Sequence, residues 1–227
     1  MFANSVQSDM LRDIEREVAY TRHEIGRDAF APQVMAAMAT VPREQFVPES
    51  GRHLAFANGP LAIGHGQTIS QPYIVALMTD LLAPRPQDCI LEIGTGSGYQ
   101  AAVLAQLVRQ VHSVEIIAAL ATAAAQRLAR LGYDNVSVRH ADGFHGWPEH
   151  APYDGIVVTA AAPQVPPPLV EQLKPGARLV IPVGLPGGVQ ELQVVEKHAD
   201  GTIETRSILL VAFVPLTRAP KGSDRGY

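Results

Sequence analysis

The chain has 227 residues, 47% of them apolar, and a formal net charge of −4. That suits one large domain with a sizeable core. No run of Lys or Arg is dense enough to follow a phosphate backbone, so nucleic acid is not expected as a partner. Cys89 is the single cysteine, which excludes an intrachain disulfide and fits a reducing compartment.

Met1 to Arg27 carries Asp9, Arg12, Asp13, Glu15, Arg16 and Glu17, and it lacks the apolar centre of a signal peptide. No stretch of about eighteen uncharged apolar residues is present, so no membrane span is expected. The expectation is a soluble cytoplasmic monomer. Leu11, Ile14 and Val18 recur at helical spacing and predict an amphipathic helix over residues 8–25. A second helix is predicted from Pro32 to Ala39, and Val41 to Pro48 reads as a proline-punctuated connector. Ser70 reads as the N-cap of an apolar helix with Pro72 in its first turn.

From Pro84 onward strands and helices alternate. Strands are predicted at Cys89–Ile93, His112–Ile116, Val136–Arg139, Tyr153–Thr159 and Arg178–Val183. Helices are predicted at Tyr99–Val108, at Ala118–Leu131 ahead of Gly132, and at Pro168–Leu173 before a Lys174-Pro-Gly176 turn. Such alternation implies a doubly wound, mostly parallel α/β sheet covered on both faces. Glu191–Lys197 and Thr205–Val214, joined by Ala199–Thr202, read instead as an antiparallel strand pair. The domain reading is one unit: an N-terminal helical and active-site segment (1–83), an α/β core (84–217) and a loose tail (218–227).

Gly94, Gly96 and Gly98 follow a strand and precede a helix. Glycines there let backbone approach a ligand. Glu115 ends the next strand, where an acid accepts hydrogen bonds from ribose hydroxyls. Gly-x-Gly-x-Gly with Glu92 just before it differs from the dinucleotide fingerprint. It resembles the first motif of S-adenosylmethionine-dependent methyltransferases, a likeness that also brings in Thr95. Asp142-Gly143 follows the third strand, where that pattern places the adenine contacts.

After the fourth strand comes Thr159-Ala-Ala-Ala-Pro163. Methyltransferases of exocyclic base nitrogens carry Asn or Asp with prolines here, and a cytosine-ring enzyme needs a cysteine nucleophile. Cys89 starts a strand, and no acid cluster suggests a metal. A site with no evident base or nucleophile suits a substrate already ionised, such as a carboxylate, whose pKa is about 4. Residues 64–72, Gly-His-Gly-Gln-Thr-Ile-Ser-Gln-Pro, offer Thr68, Ser70 and backbone donors at a helix start to hold that anion.

This segment, continued to Leu82, resembles the hallmark of the protein-L-isoaspartate (D-aspartate) O-methyltransferases. The likeness extends to residues 41–49, 90–104, 143–148, 153–163 and 213–217. It implies the Rossmann-like class I methyltransferase fold and transfer of a methyl group from S-adenosylmethionine, leaving S-adenosylhomocysteine. The acceptor it implies is the free α-carboxylate of L-isoaspartyl residues in damaged proteins and peptides. The ester then cyclises to succinimide and partly reverts to aspartyl. The resemblance further implies Ser70 as the catalytic residue. Thr68, Ile69, Glu92, Gly94, Thr95, Gly96, Gly98, Glu115, Asp142, Gly143 and Thr217 are the implied cofactor contacts. Ile63, Gly64, Gln67, Ser70, Ala161 and Ala162 are the implied substrate contacts, and no metal is implied.

Three positions depart from the family pattern. Ala62 stands for a common proline, Ile117 for a common Arg or Lys, and Ala141 for a usual glycine. A methyltransferase of a small carboxylic acid and a non-catalytic cofactor-binding protein remain the alternatives. His140, His145 and His150 recur evenly, but intervening glycines and Pro148 argue against a metal site. Trp147 reads as a packing anchor, His65 as a solvent-facing loop residue, and Pro163 to Pro168 as a rigid loop.

Overall fold

The computed structural model describes residues 2–219, with side chains from residue 7. Its centre is a seven-stranded sheet: β3 (Cys89–Ile93), β4 (Gln110–Glu115), β5 (Val136–His140), β6 (Tyr153–Val158), β7 (Leu173–Gly184), β8 (Gln190–Lys197) and β9 (Ile203–Val211). The spatial order is β5-β4-β3-β6-β7-β8-β9. β5 through β7 pair in parallel, and the β7–β8 and β8–β9 pairs are antiparallel. The strand order therefore reverses at β3, and the crevice beyond the carboxyl ends of β3 and β6 is the ligand position for such a sheet.

Helix α3 (Pro72–Leu82) lies between the sheet and the N-terminal helices α1 (Phe2–Ile25) and α2 (Pro32–Thr40). Every residue of α3 except Ile74 is buried, which is why its sequence is apolar almost all round. Along the strands the side chains alternate between two cores. Ile90, Val111 and Val157 join the cluster with α1 to α3, α4 (Tyr99–Ala105) and Leu128 of α5 (Ala118–Arg130). Leu91, Val114, Ile156 and Val158 join the other, which meets Leu169 of the short α6 (Pro167–Glu171).

Several local expectations are corrected. A small antiparallel hairpin, β1 (Leu61–Gly64) and β2 (Gln67–Ile69), which the sequence reading did not predict, leads into the helix start. His65 and Gly66 both take positive φ, as a two-residue primed turn requires. The N-cap of α3 is Gln71, not Ser70, because Pro72 occupies the first helical position. The Lys174-Pro-Gly176 turn lies inside β7, looped out between the Tyr153–Leu173 and Gly155–Arg178 pairs. Among the described residues no helix is long and apolar enough to cross a membrane.

β9 ends at Val211, earlier than expected, and the chain leaves the sheet. The Gln190 side chain takes over the ladder: its amide donates to Phe213 O at 3.1 Å and its carbonyl accepts from Phe213 N at 2.6 Å. Ala161 N then donates to Val214 O, and Leu216 N to Ala161 O, both at 2.8 Å. These bonds carry Val214 to Thr217 across the crevice.

Candidate active site

Two openings meet at the carboxyl ends of β3 and β6. A narrow cleft is lined by residues 67–70, the glycine loop, Glu115 to Ile117, Gly143, Thr159 and Val214 to Thr217. A wider groove of about 600 Å³ runs outward between α1 and the end of β9. Thr68, Ser70, Thr159 and Val214 line both.

The glycine loop is built for close approach. Gly94, Gly96 and Gly98 have φ of 95°, 52° and 87°, conformations that L side chains rarely adopt. A Cβ on Gly94 would lie 2.4 Å from Thr159 Oγ1. That hydroxyl donates to Gly94 O at 2.6 Å and Ile93 O at 3.1 Å, so Thr159 clips the loop to β6. Opposite the loop, Glu115 is 5% exposed. Its Oε2 accepts from Gly96 N at 2.8 Å and its Oε1 from Ile117 N at 2.9 Å. Each oxygen keeps a lone pair for a diol at the cleft, and the glycines leave room for one.

Glu92 lies beneath the loop, fully buried, with Oε2 accepting from Ser113 and Oε1 without a partner. Burial pushes its pKa up to about 8, partly opposed by the Ser113 hydrogen bond. The side chain is thus a neutral acid at pH 7 and supports the loop from below. It does not line the cleft.

Ser70 is held by its backbone. Buried Arg43 donates from its guanidinium to Ser70 O at 2.7 Å and Ala55 O at 2.8 Å, and stacks 4.6 Å from the Tyr99 ring centroid. The neighbouring Gln71 donates to Glu17 Oε2 at 2.8 Å. The Ser70 hydroxyl has no hydrogen-bond partner among the described residues, and it sits where the two cavities join.

Other expected residues fall elsewhere. Ser70, Gln67, Thr68, Ile69, Gly94, Thr95, Gly96, Glu115, Gly143 and Thr217 do line the cleft. Gly98 instead caps α4, with Ala124 and Leu128 packed close. Ile63 supports the loop from β1, 3.5 Å from where a Gly96 Cβ would stand, and exposed Gly64 belongs to the hairpin. Ala161 and Ala162 are buried, their amides and carbonyls taken by Val214, Leu216, Pro182 and Gly184. Neither lines the cleft or the groove.

Asp142 is engaged on both carboxylate oxygens. Its Oδ1 accepts from Phe144 N at 3.0 Å, and its Oδ2 from Arg218 Nε at 2.9 Å and Ala219 N at 3.1 Å. Burial alone would raise its pKa, but these hydrogen bonds lower it below the usual carboxylate range. Arg218 also covers the Phe144 ring at 3.6 Å. Residues 218 and 219, expected in a loose tail, are therefore tied down; residues 220–227 lie outside the described part.

Sequence reading missed Thr159, Arg43 and Arg218. Only Arg43 left a signal, an arginine between prolines in a connector otherwise read as punctuation. The three histidines scatter: His140 meets Ile116 O, His145 lies beside Arg218, and His150 stacks on His112 at 3.9 Å. Trp147 packs edge-on against both His112 and His150.

A sheet reversed at β3, a three-glycine loop and an acid ending the next strand define the class: a class I, S-adenosylmethionine-dependent methyltransferase. The comparisons resolve the family. The profile of the protein-L-isoaspartate(D-aspartate) O-methyltransferases matches residues 21–221, and the chain belongs to that family. It is 61% identical over 213 residues to protein-L-isoaspartate O-methyltransferase 2 of Syntrophobacter fumaroxidans, covering 94% of this chain and 86% of that one. A solved protein-L-isoaspartate O-methyltransferase superposes with a TM-score of 0.80 at 27% identity, over 92% of this chain and 65% of that one. A putative protein-L-isoaspartate O-methyltransferase of Plasmodium falciparum, solved with S-adenosyl-L-homocysteine, shares the fold. Its TM-score is 0.75 at 24% identity, over 93% and 98% of the two chains.

Proposed function

We propose that the narrow cleft holds S-adenosylmethionine and that Ser70 orients the free α-carboxylate of an L-isoaspartyl residue entering through the wider groove. The observation that carries this reading is the unpartnered Ser70 hydroxyl at the junction of the two cavities. When bound, the cofactor supplies a methyl group on a cationic sulfur.

Glu115 accepts from the ribose hydroxyls, its orientation fixed by the Gly96 and Ile117 amides. Ile116 and Ile117 give the adenine an apolar wall, so the departure at Ile117 exchanges a charge for packing. Gly143 is the adenine-side backbone contact, and Asp142 positions it by capping Phe144. Thr68 and Ile69 face the cofactor from β2, and Thr217 closes over it.

The acceptor carboxylate is ionised at neutral pH, so no base is needed. The Ser70 hydroxyl donates to one carboxylate oxygen and leaves the other aimed along the line of transfer. Val75, Ile93 and Val114 keep the meeting point apolar, which strengthens the ionic contacts within it. The ester that leaves is chemically unstable and cyclises to succinimide without the enzyme. Damaged proteins and peptides are the partners in this reading. It is a cytoplasmic monomer's reaction, with no role for nucleic acid, membrane or metal.

Labelled S-adenosylmethionine with matched isoaspartyl and aspartyl peptides tests it. Base-labile methyl ester on the isoaspartyl peptide alone is the expected outcome. Label on both peptides equally, or on neither while the donor is bound, overturns the reading.

A further inference from the structure

Among the described residues, the wide groove has one charged lining side chain, Glu17, and it is acidic. Asn58 Nδ2 donates to Glu17 Oε2 at 2.6 Å and Gln71 Nε2 to the same oxygen at 2.8 Å. Both bonds fall on one oxygen and fix the carboxylate, while Oε1 has no hydrogen-bond partner among the described residues. Tyr20 lies three residues on, on the same face of α1, lines the groove and is 86% exposed. A fixed carboxylate beside an exposed aromatic face suits a cation, by charge and by attraction to the ring. The opposite wall, Leu209 to Val214, lines the groove without a charged side chain.

Resting on the reading above, we propose that Glu17 and Tyr20 select isoaspartyl substrates with a Lys or Arg side chain near the damaged residue, and select against acidic neighbours. Gln71 connects this wall directly to Ser70. One Cα step of about 3.8 Å and one glutamine side chain, bonded to Glu17 Oε2 at 2.8 Å, link the Ser70 backbone to the Glu17 carboxylate. An extended peptide advances about 3.3 Å per residue, so a side chain a few residues from the isoaspartyl residue is the one that meets this wall.

The test uses the full-length enzyme and three isoaspartyl peptides that differ only in Lys, Gln or Glu at the third position from the isoaspartyl residue. A first set places that residue on the N-terminal side and a second on the C-terminal side. In at least one set, the Lys peptide is expected to exceed the Glu peptide about two- to fivefold in kcat/KM, the range of a partly exposed ion pair. The ratio should shrink toward one in 0.5 M salt. Glu17→Gln keeps an oxygen that can accept from both Asn58 and Gln71 and loses only the charge, so the ratio should collapse; Glu17→Lys should invert it. A ratio does not depend on the fraction of enzyme folded, so a merely structural role for Glu17 would leave it unchanged. Equal rates in wild type, or a ratio insensitive to Glu17→Gln, overturn the selection while isoaspartyl activity stands. Absence of ester on every peptide overturns the functional reading and this inference with it.

Discussion

The cleft and the groove share Ser70 and Thr159 yet are built on opposite principles. The cleft is backbone architecture. Its glycines, the Thr159 clip and the amides on Glu115 leave few degrees of freedom, so its geometry is set before any ligand arrives. The groove is side-chain architecture assembled from α1, the start of α3 and the chain beyond β9, and its walls can change without disturbing the sheet. A common cofactor calls for the first arrangement, and a polypeptide of variable sequence calls for the second.

The sharpest way to break this contrast is Gly94→Ala. The added Cβ meets the Thr159 hydroxyl, and the φ of 95° is strained for alanine. Cofactor affinity measured by calorimetry should fall at least about 100-fold, with a lower melting temperature. Near-normal affinity would show that the loop is not preset.

Ser70→Ala probes the junction. Losing one charge-assisted hydrogen bond of roughly 1.5–3 kcal/mol should lower kcat/KM for isoaspartyl peptide about 10- to 100-fold, with cofactor affinity nearly unchanged. Equal activity in the variant would remove Ser70 from the mechanism.

Glu92→Gln is the mildest change and tests the support beneath the loop. The folded pKa of about 8 lies above the unfolded value near 4.5. The protonated acid's contribution to stability is therefore fully present below about pH 4.5 and is lost as pH climbs to about 8. The amide mimics the protonated form, so its advantage in melting temperature should be near zero at pH 4.5 and several degrees at pH 8.5. A gap that does not widen with pH would mean that Glu92 ionises freely in the folded protein.

Much of the cleft was legible in the sequence because its signals are local. Strand, three glycines, helix and a terminal Glu115 are read within some twenty-five residues, and each follows from backbone geometry. The errors arose where distant parts meet. Residue type favoured Ser70 as a cap, but Pro72 moves the cap to Gln71 and leaves the serine hydroxyl free. Nothing local to Asp142 signalled that Arg218 and Ala219, remote in sequence, bond its carboxylate. The alanines after β6 proved to be backbone anchors for the returning C-terminal chain.

The sequence by itself determined the class of sheet, the position of the nucleotide loop and the need for a substrate that brings its own charge. Periodicity, glycine placement and the absence of a base are properties of short stretches. Only the tertiary structure decided that Arg43 holds Ser70, that Thr159 locks the loop, and that Glu17 and Tyr20 line the wider groove. Those contacts join residues far apart in the chain, and they exist only once burial of the two cores has fixed where α1, α3 and β9 lie.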